Sequence, residues 1–383
     1  MEYSKLLREL PSSPIRNMMV RAATLKDVIS FSVGEPDFLP QESVLEAARA
    51  ALKISTKYAP GAGLDILRDT YVEYLNGTLG VDYTRENVVV TTGGMSALFL
   101  SFACILNPGD EVLVSSPYFT NYSSEILMNN GVPVMVEVYE KDNFVVTLEA
   151  IREAITPKTK VILLNSPCNP TGGIIDKDTL KQIADIAKEK DLFVISDEVY
   201  RHILFDGEEY CSIAAIDGMK ERTLIIDSCS KSSAMTGFRV GFAAGPKELI
   251  ALFIRATENV YSSVTTVAQY AAVEALKNGG EYRNYMCLKY EERRDYIYDR
   301  INKMNKLSCI KPKGAFYAFV NVKNTGMDGN EFANRLLEEK RVAVVPGIAF
   351  GENGRYYVRM AYGTSMENLE KGLDRIEEFL NDL

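Results

Sequence analysis

Seven short apolar runs, separated by stretches of helical character, are the feature that most limits how this chain can fold. They lie between about residue 45 and residue 280 and read VVVTTGG, EVLVSSP, PVMVEV, VILLNSP, LFVISDE, TLIIDSC and VGFAAG. Runs this rich in Val, Ile and Leu are typical of strands buried on both faces, and helical spacers between them favour parallel pairing. The pattern predicts an α/β fold with a mostly parallel seven-stranded sheet covered by helices on both faces.

The rest of the chain predicts a second, smaller α+β domain. From EYRNYMCLKYEERRDYIYDRI onward, long charged helices surround short strands such as GAFYAFVNV and YYVRMAY. A chain of 383 residues also exceeds what one hydrophobic core usually supports. We therefore expect a large domain over residues 46–280 and a small domain over residues 281–383. An N-terminal arm, residues 1–45, is expected to complete the small domain.

Composition and charge argue against several classes of protein. The chain is 46% hydrophobic and 25% charged, as in soluble globular proteins, and none of its apolar runs approaches the ~20 residues of a membrane helix. The opening MEYSKLLREL carries charge where a signal peptide needs an apolar region. A net charge of −9 argues against nucleic acid or an anionic membrane as the main partner. The six cysteines lack CxxC spacing, which indicates reduced thiols in a cytoplasmic protein.

The chain contains one histidine, His202, and this limits the chemistry that its own side chains can perform. Without a second histidine or a cysteine cluster, the usual zinc sites and HExxH chemistry are excluded, so no metal site is expected. The sequence also has no GxSxG, no G-x-x-x-x-G-K-[ST] loop and no GxGxxG after a strand. We therefore expect the chemistry to come from a bound cofactor and His202 to be structural.

Lys231, in the segment SCSKSSAMTGFRVG, is the leading candidate for binding such a cofactor. A free lysine amine can condense with a carbonyl, but the ordinary pKa of ~10.4 leaves almost none at neutral pH. The segment predicts a buried strand, a loop and a second strand, with Arg239 as a neighbouring cation. Burial and that cation would both lower the pKa of Lys231. Taken alone, the segment is equally compatible with a solvated loop lysine.

Glycines and polar residues follow the carboxyl ends of other predicted strands, which is where a doubly wound sheet binds its ligands. Gly93 and Gly94 open a helix, and a helix N-terminus can bind a phosphate. Phe119 can supply an aromatic face. Asn169 in NSPCNPTGG and Asp197 in SDEVY end two further strands. Each residue also fits a simpler role in a turn, a helix cap or the core, but together they would face one crevice with the lysine.

Nearly the whole chain, from SVGEPDF to YYVRMAYGTSMENLEKGLDRI, resembles the class I and II aminotransferases, in particular the bacterial aspartate and aromatic enzymes. These are fold type I enzymes that depend on pyridoxal 5′-phosphate (PLP). The lysine segment fits the family signature at every constrained position. The resemblance implies that Lys231 forms a Schiff base with PLP and, once released, moves the proton between Cα and C4′. Asp197 would pair with the pyridinium nitrogen, and Tyr200 and Asn169 would hydrogen-bond O3′ of the ring.

The same resemblance implies the rest of the site. Phe119 would stack on the ring, and the phosphate would be bound by Gly93, Gly94, Met95, Ser228 and Arg239. Arg359 and Gly34, beside Asn169, would bind the α-carboxylate of the substrate. Tyr58 would reach the phosphate of a neighbouring subunit, so a homodimer with composite sites is implied. The peptide bonds before Pro117 and Pro170 would be cis.

The expected reaction is reversible transamination between an α-amino acid and a 2-oxo acid such as 2-oxoglutarate. Aspartate and aromatic amino acids are the favoured donors, and a dicarboxylate would require a second arginine in the pocket. A PLP-dependent β-lyase of the cysteine–sulfur lyase type would share Lys231, Asp197 and Arg359. A non-catalytic sensor with the same fold is a third alternative, against which the acidic charge and the lack of an obvious DNA-binding extension argue.

Overall fold

The structure, a computed structural model, describes residues 2–10 and 13–383. Its α-helices, in chain order, are α1 (Lys5–Glu9), α2 (Pro14–Ala23), α3 (Glu42–Ala51), α4 (Asp65–Leu79), α5 (Gly94–Ile105), α6 (Asn121–Met128), α7 (Leu148–Ala154), α8 (Lys177–Glu189), α9 (Cys229–Ser232), α10 (Lys247–Val260), α11 (Thr266–Asn278), α12 (Gly280–Lys303), α13 (Gly329–Lys340) and α14 (Met366–Asn381). In the described part of the chain, none of these helices has the length and apolar character needed to cross a bilayer.

The strands, in the same order, are β1 (Ile29–Ser30), β2 (Val88–Thr91), β3 (Glu111–Ser116), β4 (Val132–Glu137), β5 (Thr159–Asn165), β6 (Phe193–Asp197), β7 (Thr223–Ser228), β8 (Gly241–Ala244), β9 (Ser308–Cys309), β10 (Tyr317–Asn321), β11 (Val342–Ala343), β12 (Val345–Pro346) and β13 (Tyr357–Ala361). A seven-stranded sheet has the order β2-β8-β7-β6-β5-β3-β4. Strand β8 is antiparallel to both neighbours, and all other neighbouring pairs are parallel. Each strand coincides with one of the seven apolar runs, so the predicted mostly parallel sheet is confirmed.

Helices cover both faces of this sheet, because side chains of consecutive strand residues point to opposite faces. Leu224 and Ile226 of β7 belong to a core shared with α5 and α10. Ile225, between them, belongs to a second core shared with α4 and α11. Because helices cover both faces, a ligand can bind at the edge of the sheet where the parallel strands β3, β5, β6 and β7 reach their carboxyl ends.

The C-terminal part forms an antiparallel sheet of order β12-β13-β10-β9, which shares one core with α12, α13 and α14. Strands β10 and β13 are those expected from GAFYAFVNV and YYVRMAY. The N-terminal strand β1 pairs in parallel with β11, with Ile29 opposite Val342, and Phe31 is buried in the same core. This pairing is consistent with an N-terminal arm that completes the small domain. The domain boundaries at residues 45 and 280 remain a proposal.

Among the residues that the structure describes, three proline peptide bonds are cis, and they lie in the loops that follow β3 and β5: Ser116–Pro117, Ser166–Pro167 and Asn169–Pro170. The first and third are the two that the family resemblance implies. The second has no counterpart among the sequence-based expectations. All three shape the loops at the ligand-binding edge of the sheet.

Candidate active site

A cavity of about 330 Å³ opens at the carboxyl ends of the parallel strands. Its walls bring together nearly all the residues that the sequence nominates, namely Gly34, Gly94, Met95, Phe119, Asn169, Asp197, Tyr200, Ser228, Lys231, Arg239 and Arg359. Gly93 directly precedes the first residue of α5 and lies against the Arg239 guanidinium. Tyr58 does not line the cavity, and its side chain is 91% exposed. One crevice therefore holds the predicted lysine, carboxylate and two arginines.

Lys231 lies on the single helical turn α9, where the sequence predicts only a loop between two strands. The turn forms because the Ser228 hydroxyl accepts a hydrogen bond from the Ser230 N–H at 3.0 Å and so caps its first residues. The Lys231 amine donates a hydrogen bond to the Gly34 carbonyl oxygen. The lysine thus reaches from the large sheet to the N-terminal segment across the cavity.

The surroundings of Lys231 increase the fraction of its amine that is neutral and reactive. Desolvation lowers its pKa to about 8, and the positive charges of Arg359 and Arg239 act in the same direction. The Glu35 carboxylate opposes this shift. The lowered pKa agrees with the expectation from the sequence, in which burial and Arg239 were the two causes. Arg359 is an additional cause that the sequence did not reveal.

We expect the pH dependence of Lys231 reactivity to show this shift. With a pKa of about 8, about a tenth of the amine is free at pH 7, against roughly three parts in ten thousand for a lysine with an ordinary pKa. Reductive methylation with formaldehyde, followed residue by residue by mass spectrometry, should give a profile for Lys231 with its midpoint near pH 8. A midpoint above pH 10, like that of ordinary surface lysines in the same digest, would contradict the assignment.

Asp197 is the last residue of β6 and is buried at the base of the cavity. The Tyr122 hydroxyl donates a hydrogen bond to its Oδ2 at 2.6 Å, and the Asn165 amide donates to its backbone oxygen at 3.1 Å. Burial raises the pKa of Asp197 to about 6, although the hydrogen bonds from Tyr122 and the Val199 N–H act in the opposite direction. A cationic ring nitrogen beside this carboxylate would favour its ionised form.

One end of the cavity is built to bind an anion. Helix α5 begins there at Gly94, so its free N–H groups and positive dipole end face the cavity. Gly93 has φ +82°, and a Cβ at this position would lie 2.5 Å from Nη2 of Arg239. Arg239 is itself held by a hydrogen bond from its Nη1 to the Thr236 carbonyl oxygen at 2.9 Å. A guanidinium and a helix N-terminus together suit a phosphate.

Arg359 of β13 is buried on the opposite side, with 1% of the residue exposed. Its Nη1 donates to the Asn169 side-chain oxygen at 3.0 Å, and its Nη2 donates to the Ser32 carbonyl oxygen at 2.6 Å. In the part of the chain that the structure describes, its Nε has no hydrogen-bond partner and it forms no salt bridge. A buried cation without a counter-ion is costly, so the site is one that an anionic ligand would complete.

Tyr200 and Tyr317 close the floor between these two ends. Their hydroxyl oxygens are 2.7 Å apart, and burial raises the pKa of both phenols. The Tyr317 ring also lies under the Arg359 guanidinium, with 4.6 Å between its centroid and Cζ. A Cβ on Gly34 would lie 2.2 Å from the Tyr317 hydroxyl oxygen, so this position leaves no room for a side chain. The N-terminal segment can therefore approach the cavity closely only with glycine there.

Several cavity residues were not identified from the sequence. Asn165 is the last residue of β5, so the strand-end rule that selected Asp197 would also have found it. Tyr122 and Tyr317 lie inside a regular helix and a regular strand, where a tyrosine is indistinguishable from a core residue. Ile15 and Glu35 come from the N-terminal arm, whose route across the cavity depends on tertiary structure.

Comparison with known proteins agrees with this geometry. A mostly parallel seven-stranded sheet with a lysine, a buried carboxylate and two arginines at its carboxyl edge defines the class of fold type I PLP-dependent enzymes. The family model for aminotransferase class I and II matches residues 26–376. The chain belongs to this family, and it is a PLP-dependent aminotransferase. The β-lyase and sensor alternatives are accordingly not favoured.

Individual relatives cover the chain almost completely. Aspartate aminotransferase of Pyrococcus abyssi is 40% identical, with 100% of this chain and 99% of the relative covered. Aromatic-amino-acid aminotransferase 2 of Thermococcus litoralis is 38% identical, with the same coverage. The solved structure of aspartate aminotransferase from Thermus thermophilus with maleate has a TM-score of 0.94 and 38% identity, covering 99% of each chain.

Proposed function

We propose that this aminotransferase binds PLP in the cavity through Lys231. With it, the enzyme transfers an amino group from an α-amino acid, aspartate or an aromatic one, to a 2-oxo acid such as 2-oxoglutarate. The observation that carries the proposal is the pairing of two unusual cations in one crevice. Lys231 has a pKa lowered to about 8, and Arg359 is buried without a carboxylate partner among the described residues. The Lys231 amine can condense with an aldehyde, and the Arg359 guanidinium can pair with a carboxylate.

The residues present fit the cofactor. A cavity of about 330 Å³ has the size of a small-molecule site. Gly94 and Met95, at the start of α5, would offer backbone N–H groups to the phosphate, and Ser228 and Arg239 would add side-chain contacts. The N–H of Gly93, which the family resemblance also assigns to the phosphate, instead donates to the Thr91 carbonyl oxygen at 2.8 Å. Phe119 would cover one face of the ring. A Cβ at position 93 would press against the Arg239 guanidinium, which explains why glycine occupies this position beside the proposed phosphate site.

When bound, PLP supplies an aldehyde that captures the amino group and a ring that takes up the electron pair released at Cα. Lys231 would bind the aldehyde covalently and, after displacement by the substrate amine, carry the proton between Cα and C4′. Asp197 would keep the ring nitrogen protonated, with Tyr122 orienting its carboxylate. Tyr200 and Asn169 would hydrogen-bond O3′.

The simplest test of this function is a visible absorption spectrum. Purified protein incubated with PLP should gain a band in the visible range, lose it when a donor amino acid is added alone, and recover it when a 2-oxo acid follows. Lys231→Ala protein in the same cuvette series corrects for free PLP. Loss of the band with release of ammonia and no recovery would indicate a lyase, and protein that stays colourless would remove the proposed cofactor.

Arg359→Ala is expected to weaken substrate binding without releasing the cofactor. The buried guanidinium would pair with the α-carboxylate, and such pairs contribute several kcal/mol, so KM for the amino acid should rise roughly 100-fold or more. The Kd for PLP should stay within about threefold of the original value. Steady-state kinetics and a cofactor titration measure the two quantities.

Arg300→Ala is a matched control for this variant, because Arg300 is a small-domain arginine that pairs with Asp374 and Glu377 away from the cavity. It should change neither KM nor the PLP Kd. If Arg359→Ala instead releases PLP while leaving KM unchanged, the carboxylate site has been misplaced.

The cavity wall favours an aromatic over a dicarboxylic donor. Among the described residues, Lys231, Arg239 and Arg359 are the cations that line it, and each already has a proposed role. Ile15 and Val33 add apolar surface, and Glu35 adds a negative charge.

We therefore expect kcat/KM for phenylalanine to exceed that for aspartate by about tenfold or more, with 2-oxoglutarate saturating. Initial rates with the two donors, compared on the same enzyme preparation, measure the ratio. A preference for aspartate would indicate that a cation from a second subunit enters the site.

We also propose a homodimer with composite sites, in which Tyr58 reaches the phosphate of the partner subunit. Its 91% exposure in the single chain supports this, since a tyrosine this exposed is available to a partner. The domain boundaries at residues 45 and 280 belong to the same proposal, as does a cytoplasmic location. For the location, the support is that the six cysteines are all free thiols.

A further inference from the structure

A buried ion pair joins the two segments that carry the main cavity residues. Arg201 directly follows Tyr200, and Asp227 directly precedes Ser228. Nη2 of Arg201 lies 2.8 Å from Oδ2 of Asp227, with 1% and 6% of the two side chains exposed. The pair thus connects the end of β6, with Asp197, to the end of β7, which leads into the Lys231 turn.

This pair lies on the sheet face that α4 covers, whereas the cavity opens at the carboxyl ends of the strands. Strand residues alternate between faces, so Ser228 lines the cavity while Asp227 points toward α4. There the Tyr71 hydroxyl of α4 donates to Oδ2 of Asp227 at 3.1 Å. Asp227 is therefore not among the residues that line the cavity, and its effect on the site would pass through neighbouring groups.

Arg201 balances more than one carboxylate in this region. Its Nη1 lies 3.6 Å from Oε2 of Glu198, which is fully buried and accepts hydrogen bonds from Ser196 and Ser212 at 2.9 and 2.6 Å. Its Nε donates to Nε2 of His202 at 3.0 Å, so this nitrogen is the unprotonated one. Arg201 is thereby held by its Nε hydrogen bond and by ion-pair contacts with two carboxylates, although neither Nη1 nor Nη2 forms a hydrogen bond with a described residue.

Asp227 also contacts the backbone that leads to the lysine. Its Oδ1 accepts a hydrogen bond from the Ser228 N–H at 2.7 Å. The Ser228 hydroxyl in turn accepts the Ser230 N–H that caps the turn bearing Lys231. A continuous series of contacts therefore runs from Arg201 through Asp227 and Ser228 to the lysine.

We propose that Asp227 is a positioning residue for Lys231: its carboxylate fixes the Ser228 peptide, and Arg201 is the counter-ion that allows a carboxylate to be buried there. The inference rests on the proposed cofactor site. Two roles are thus separated on one side chain. The Asp227 oxygen that accepts the Ser228 N–H orients the lysine turn. The negative charge of the same carboxylate has no such role, and its burial is made possible by the positive charge of Arg201.

Two double variants distinguish positioning from general stability. Arg201→Met/Asp227→Asn removes both charges but keeps an oxygen that can accept the Ser228 N–H. Arg201→Met/Asp227→Leu removes the charges and the acceptor at similar volume. The readouts are Tm and the Kd for PLP of the apo protein, titrated by visible absorbance. We expect the Asn-containing variant to bind PLP within about threefold of the original protein and the Leu-containing variant to bind about tenfold or more weakly.

Equal PLP affinities for the two double variants would overturn the proposal. If either double variant fails to fold, the same comparison is made between Asp227→Asn and Asp227→Ala, with equal affinities again overturning it. Arg294→Met is a matched control, because Arg294 is a buried arginine of α12 paired with carboxylates outside the cavity. It should lower Tm without changing the PLP Kd. Failure of the unsubstituted protein to bind PLP would refute the cofactor site itself, a distinct result.

Discussion

Lys231→Ala protein is expected to remain folded and to lose transamination, with kcat reduced about 10⁴-fold or more. The amine would serve both as the covalent anchor of the cofactor and as the base at Cα, so its removal takes away two functions at once. The fold should survive because desolvation makes the charged amine unfavourable at this position, as the pKa lowered to about 8 indicates. Single-turnover measurement of donor-dependent spectral change gives the rate, and thermal unfolding monitored by circular dichroism gives the stability.

Lys160→Ala is the matched control for this variant, since Lys160 is a half-buried lysine that pairs with Asp110 at 2.8 Å outside the cavity. It should leave kcat within about twofold. A Lys231→Ala enzyme that completes the half-reaction at the original rate would show that the wrong lysine has been chosen. A variant that is simply unfolded would be recognised by its circular dichroism spectrum.

The second large loss of activity is expected when Asp197 is replaced. Asp197→Ala should slow proton abstraction at Cα about 10³-fold, because the ring nitrogen would no longer be held protonated by a buried carboxylate. The Kd for the amino acid should change by less than about threefold, since Asp197 lies at the base of the cavity and the proposed substrate contact is Arg359 on the opposite side. Stopped-flow kinetics with α-deuterated and ordinary donor separate binding from proton transfer.

Asp197→Asn is the informative companion variant, because it keeps the volume and an acceptor for the Tyr122 hydroxyl but removes the charge. If charge is what matters, the Asn variant should be about as slow as the Ala variant. A fast Asn variant would show that Asp197 acts through shape and hydrogen bonding instead. Unchanged turnover in both variants would contradict the role at the ring nitrogen.

The sequence was sufficient to predict the sheet and four charged residues of the cavity, Lys231, Asp197, Arg239 and Arg359, but not Glu35. Apolar strand runs leave a local signal, and the residues at their carboxyl ends, such as Asp197, meet because parallel strands end at one edge. Burial and the Arg239 charge around Lys231 could also be predicted, since both follow from nearby sequence. The helical turn at α9 could not, because it depends on one capping hydrogen bond that the Ser228 hydroxyl accepts from the Ser230 N–H.

What the sequence could not provide depends on long-range packing. Tyr317 contacts Tyr200 only because two distant parts of the chain fold against each other. No sequence pattern around either residue predicts this contact. The pairing of Arg201 with Asp227 is of the same kind, since both read as ordinary charged residues beside strand ends. The proposed contact of Tyr58 with a partner subunit could not be derived from the structure of a single chain.

The pairing of β1 with β11 has a consequence for how the protein is made. Ile29 leaves the ribosome 313 residues before its partner Val342, an interval of roughly 15 to 60 s at ordinary translation rates. The last strand of the large sheet, β8, ends at Ala244, so that sheet can close while the remaining chain is still being synthesised. During this interval β1 has no partner, and the apolar side chains of Ile29 and of Phe31, which follows the strand, cannot yet be buried in the small-domain core.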